Sequence, residues 1–363
     1  MTYRQFVLHS WDILFDWARK FNRRAFTLAL TLKTEMTAKL SKNQDGVLSA
    51  SAREELDALN QKIRALLPGQ YVHCYESVSP DSMGTAKLKY NADGTVAWDE
   101  IWTSFCHLAL AGGPPHRGRL LASVPETVAQ QQMELTNQVS EEIERGLFLA
   151  ADLRAARDLK PGWVGARCRN EAMAAWMTRA VVAENIFARQ EGDVLLLPAG
   201  PDFRLEKEIK NVITAVAKTS HYWSFHAAEK ERSSASKLFK TGGTADPIFA
   251  PATVDEVNQD SVGYQEASSK LEKHLAATSS LEIHAPQTPG WIGLKCTNEE
   301  MAIWLMRAAI AENLIARREE AVLFLPVNPP FASENLFERY AEITERIWRA
   351  WNTNIMQSKE ANA

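Results

Sequence analysis

The chain has 363 residues, 45% hydrophobic and 24% charged, a globular composition with length enough for two or three domains. Its 41 basic and 45 acidic side chains are interspersed and sum to a net charge of -4, so no broad polyanion-binding surface is expected and nucleic acid is not an expected partner. Cys74, Cys106, Cys168 and Cys296 form no CxxC pair, which points to free thiols in a reducing, cytoplasmic compartment.

In chain order, the opening segment has no early basic region followed by a continuous apolar stretch, so it does not read as a signal peptide. No apolar run approaches the roughly 20 residues that span a bilayer, and no membrane partner is expected. Residues 11–40 and 51–67 read as two amphipathic helices, the second opened by Ser51 and Glu54 as a capping box. Trp11, Leu14, Phe15, Ala18 and Phe21 fall on one helical stripe, either the inner face of a domain helix or a surface for a protein partner.

The strongest signal is internal. Residues 161–198 align without a gap on residues 289–326 at an offset of 128, with 22 of 38 positions identical. Beyond the second proline the offset still matches Phe203 with Phe331 and Trp223 with Trp351. Each copy predicts a strand after Pro-Gly, a helix capped by Asn170 or Asn298 and closed near Asn185, a second strand from Val194, and a second helix after Phe203. Two strands joined by one such helix suggest a right-handed parallel crossover. A degraded copy begins at Pro68-Gly69, interrupted by an insertion in which Asp93-Gly94 reads as a hairpin turn.

The expected fold class is therefore α/β, built of tandem β-α-β-α repeat units, two clear and a third degenerate, with N-terminal helices. The expected segments are 1–67 (helical), 68–150 (degenerate first repeat), 161–226 (second repeat), 227–288 (flexible insert with one helix) and 289–352 (third repeat).

Residues that copies share are explained by scaffold duties, so function is sought where the copies depart. One departure is the loop containing Gly112, Gly113, His116 and Arg117, where glycines admit a ligand to backbone N–H groups and a titratable ring sits beside a permanent cation. The other is the stretch holding Lys218, His221 and His226. The five-residue separation of the two histidines fits metal ligation on one helical face poorly, so no metal is expected. No nucleotide-binding or nucleophile-elbow motif occurs, and none names a cofactor.

These residues point to a protein binding or converting a small anionic metabolite at a pocket between repeats. His116 and His221 are the candidate acid–base groups, and Gly112, Gly113, Arg117, Lys218 and His226 the candidate ligand-binding residues. The alternative is a non-catalytic scaffold that docks a protein partner, or a second copy, through its N-terminal helices.

Overall fold

The computed structural model describes residues 49–66, 88–100, 119–227, 248–286 and 288–361, with 229, 232, 233 and 236 besides. The chain divides into a unit of residues 55–351 and a second unit made of residues 1–54 and 352–363. The described part of the second unit consists of the outer ends of two helices, so the architecture that follows is that of residues 55–351.

Helix α1 (Ala50–Leu66) opens at Ser49, whose hydroxyl accepts the Ala52 N–H at 3.1 Å, two residues before the predicted cap at Ser51. A small hairpin follows at residues 90–96, where Gly94 has φ +84° and Tyr90 pairs with Val96, as Asp93-Gly94 led one to expect. Then come α2 (Glu126–Gln131), α3 (Met133–Ala151), β1 (Arg154–Ala155), β2 (Trp163–Arg167), α4 (Glu171–Ala183), β3 (Arg189–Glu191), β4 (Val194–Pro198) and α5 (Lys210–His221). The same order recurs as α6 (Val254–Gln259), α7 (Ser261–Ser279), β5 (Glu282–His284), β6 (Trp291–Lys295), α8 (Glu299–Ala311), β7 (Arg317–Glu319), β8 (Val322–Pro326) and α9 (Glu334–Ala361).

The strands form two four-stranded sheets, ordered β1-β2-β4-β3 and β5-β6-β8-β7, and every neighbouring pair is antiparallel. This corrects the expected parallel crossover. The polar triplet Arg189–Glu191 is itself a strand, and a two-residue turn with Gly192 at φ +57° sends β4 back antiparallel between β2 and β3. Helix α4 thus joins two parallel strands that are not neighbours.

Registers coincide at an offset of 128 throughout: Trp163 pairs with Pro198 and Trp291 with Pro326, while Arg189 pairs with Leu196 and Arg317 with Phe324. The correspondence extends upstream of the segments that align in sequence. Leu121 bridges Ile186 as Phe249 bridges Leu314, and α2–α3 stand to the first sheet as α6–α7 stand to the second. Residues 119–151, read in the sequence as part of a degraded copy, accordingly pack against the first sheet, and 248–279 hold the matching place beside the second.

Local chemistry explains the helix ends. Asn170 and Asn298 cap α4 and α8 by accepting the N–H of Met173 and Met301, each at 2.9 Å. Asn185 and Asn313 close the same helices in the left-handed region at φ 62° and 65°. Met173 through Val182 of α4 are all buried, as expected for a helix that is apolar nearly all round. Around it Trp176 packs on Tyr222 and Trp223, with ring centroids 5.8 and 5.4 Å away, and the corresponding Trp304 packs on Trp351 at 5.4 Å.

Candidate functional site

Gly112, Gly113, His116 and Arg117 lie outside the described residues, as do Cys74, Cys106 and the N-terminal tryptophan stripe; the side chain of His226 is likewise outside them. Lys218 is buried, its Nζ 3.2 Å from Oε1 of the fully buried Glu184. His221, at the end of α5, lines an open cleft, with Phe225 at a ring separation of 5.0 Å. The structure thus separates two residues that the sequence grouped: Lys218 faces inward and His221 outward.

The pair Glu184–Lys218 belongs to a buried polar network that uses the charged residues shared between the two halves. Glu312, the counterpart of Glu184, is held by Lys62 at 2.7 Å and by Arg346, the counterpart of Lys218. Arg179 donates to Ala175 O at 2.7 Å and to Asn313 Oδ1 at 3.2 Å, while Arg317 donates to Asn185 Oδ1 at 3.2 Å. Asn185 in turn donates to Arg318 O at 2.7 Å. The guanidinium of Arg317 also lies over Phe324 and Trp291, at 3.9 and 5.0 Å from the ring centroids. Burial lowers Arg179 to about 9 and Arg317 to about 10, so both stay charged at neutral pH. The bonds Arg179–Asn313, Arg317–Asn185 and Asn185–Arg318 fasten one half to the other.

The open cleft is built where several chain ends converge. Helix α3 stops at Ala151, with Asp152 in the left-handed region at φ 54°, and releases the chain into β1 at Arg154. Strand β2 ends opposite it at Arg167, and Cys168 and Arg169 lead into the Asn170 cap. From α5, Ser220 Oγ reaches Ala151 O at 3.5 Å. Two adjoining hollows result. One of 250 Å³ is lined by Asp152, Arg154, Arg167, Cys168, Arg169 and Ser220; the other, of 360 Å³, by Leu149, Asp152, Arg169, Ser220, His221 and Phe225 among others.

The electrostatics of this cleft are uneven. Arg154 and Arg167 are cross-strand partners, which places like charges directly opposite, an arrangement that costs stability. Arg167 is bound by Asp193 at 2.9 Å, whereas Arg154 and Arg169 are exposed and make no ion pair with a described residue. The carbonyl end of α3 and the Asp152 carboxylate offset part of this positive charge. In the second half the same positions hold Glu282 opposite Lys295, closed as an ion pair at 3.1 Å, with Thr297 for Arg169 and Trp348 for Ser220.

The thiol in the cleft is held in its protonated form. Burial, with the nearby Asp193 carboxylate, pushes the Cys168 thiol up to about 12, and burial pushes Cys296 up to about 11, so both are protonated at neutral pH. Among the described residues no group of three His, Cys, Asp or Glu side chains is placed to hold a metal ion, and no helix is long and apolar enough to cross a membrane. What the cleft offers is cationic anchoring by three arginines beside a titratable imidazole and an apolar wall of Leu149 and Phe225. Sequence reasoning missed Arg154, Arg167 and Arg169, although the substitution of Glu282 for Arg154 and Thr297 for Arg169 between the halves was a signal that could have found them. No protein-family model, curated protein or solved structure matches this chain.

Proposed function

We propose that the arginine-lined cleft of the first half binds a small organic anion carrying a phosphate or carboxylate group. Arg154 and Arg169 are the primary anchors, Arg167 is shared with Asp193, and Phe225 and Leu149 receive the apolar body of the ligand. The observation that carries this reading is the Arg154–Arg167 cross-strand pair, set against the Glu282–Lys295 ion pair at the corresponding place. A sheet that gains nothing from two arginines at opposite positions gains from an anion bound beside them, because bidentate donors match a planar or tetrahedral oxyanion. His221 occupies the place of an acid or base should the bound anion react there.

The 128-residue correspondence is read as a tandem pair of α-α-β-β-α-β-β-α units, at residues 120–223 and 248–351, in which the second unit keeps the framework and lacks the anion cleft. Each unit on this reading is longer than the repeat inferred from the sequence, and most of the expected degenerate copy at 68–118 lies outside the described residues.

The test is a thermal-shift screen of the whole protein against phosphorylated and carboxylated metabolites. A ligand at about 100 times its Kd stabilises the folded state by about 2.7 kcal/mol, a readily measured shift. The expected result is a hit that disappears in Arg169→Ala and Arg154→Ala, both of which keep the wild-type circular dichroism spectrum. Hits that survive both substitutions, or a silent panel, contradict the reading.

A further inference from the structure

The groove along α3 that the second half repeats along α7 is filled in one case and open in the other. In the first half, residues 88–100 lie on α3. The Trp98 indole N–H donates to Glu142 Oε1 at 2.7 Å, the Arg145 guanidinium donates to Val96 O at 2.9 Å, and Trp98 is fully buried. Near the start of the same segment the Tyr90 hydroxyl donates to Glu206 Oε1 at 2.9 Å.

On α7 the positions of Glu142 and Arg145 are taken by Lys270 and Lys273. With Glu266, Ser269, His274 and Phe337 they line an open groove of 610 Å³. Among the described residues no second segment fills it: the positions 128 beyond 88–99 are 216–227, which form the end of α5 and the turn after it. The charge at one of these two positions has also been reversed, from Glu142 to Lys270, while Lys273 keeps the positive charge of Arg145. Where Glu142 accepted an indole N–H, Lys270 now holds its ammonium 4.2 Å from the centre of the Phe337 ring and donates to Ala332 O at 3.3 Å.

We propose that this groove docks, in trans, an extended acidic segment of a partner protein bearing an aromatic residue. Three features of the groove fit that occupant. Lys273 stands where Arg145 bonds a backbone carbonyl and serves a partner's carbonyl in the same way. Lys270 pairs with a carboxylate of the incoming segment, as two ammonium groups against the single Glu266 favour. The aromatic side chain takes the place of Trp98 against Phe337 and the His274 ring, which already meet edge-on at 5.8 Å. This docking does not depend on the anion cleft, which lies in the other half.

The probe is a fluorescently labelled peptide of residues 88–100, Leu88 to Glu100, which carries Asp93, Asp99, Glu100 and Trp98. Anisotropy titrations are made on the whole protein, on Lys270→Glu/Lys273→Glu and on Arg169→Ala. Saturable binding to wild type and to Arg169→Ala, weakened about tenfold or more in the double variant, supports the proposal; about tenfold corresponds to about 1.4 kcal/mol. A peptide with its three acidic residues replaced by lysine should lose binding to wild type and regain it with the double variant. That charge swap also shows that the variant is folded. Absence of saturable binding, or equal binding by wild type and double variant, overturns the proposal. Self-association that the double variant abolishes, measured by sedimentation, assigns the groove to a second copy and overturns it equally.

Discussion

At the residue scale, the most consequential groups are charges placed out of water. Glu184 is fully buried against Lys218, so truncating the lysine removes the cation that faces this carboxylate out of water. Lys218→Met is expected to cost about 3–5 kcal/mol in urea denaturation, and Glu184→Gln/Lys218→Met to recover most of that loss. A double variant as unstable as the single one would show that the pair does not act as a unit. His274 gives a pH dependence. Burial holds its imidazole below the ordinary range, against a smaller upward pull from Glu345, and its Nε2 lies 2.9 Å from Thr344 Oγ1. The unfolded chain therefore binds the proton more readily, so stability is full above the unfolded value of about 6.5 and falls as pH drops through it. In His274→Gln that part of the fall should vanish from a pH series of denaturation curves.

At the element scale, the residues legible in the sequence were those whose conformation is fixed by their own chemistry. Asn170 and Asn298 as caps, Asn185 as a left-handed terminator and Asp93-Gly94 as a turn need only neighbours in the chain. Strand β3 was not legible, because three polar residues carry no alternation to read, and missing it turned an antiparallel sheet into an expected parallel crossover. Helices α3 and α7 were not matched for a different reason. Val139, Ile143 and Leu147 keep buried places equivalent to Ala267, Leu271 and Leu275, but the exposed positions between them have diverged. A glycine comparison tests the turns. A Cβ on Gly290, at φ +90°, would sit 2.4 Å from Ala252 O, whereas one on Gly192, at φ +57°, would meet nothing within 4 Å. Gly192→Ala should thus show only the left-handed backbone cost of about 1 kcal/mol, and Gly290→Ala at least about twice that in melting experiments.

At the scale of the whole molecule, the two halves share strand order and register, and they differ in what they present to solvent. The first half fills its helix groove with residues 88–100 and leaves an arginine cleft; the second closes the equivalent charges as Glu282–Lys295 and leaves a lysine groove. The sequence pointed to an anionic ligand and to His221; His221 lines the cleft, and the anion is what we propose for it. The loop from Gly112 to Arg117 stands outside the described residues, and the three arginines became visible only when β1 was set beside β2. The account turns on whether the cross-strand arginines Arg154 and Arg167 are retained for an anion at the expense of stability. Its most direct test is urea denaturation of wild type and Arg154→Glu, each with and without a panel of phosphates and carboxylates. Arg154→Glu recreates across β1 and β2 the ion pair of the second half. The account predicts a variant more stable by about 0.2–1 kcal/mol without ligand, and blind to the anion that stabilises wild type. A variant that is no more stable and responds to the same anion as wild type would contradict it.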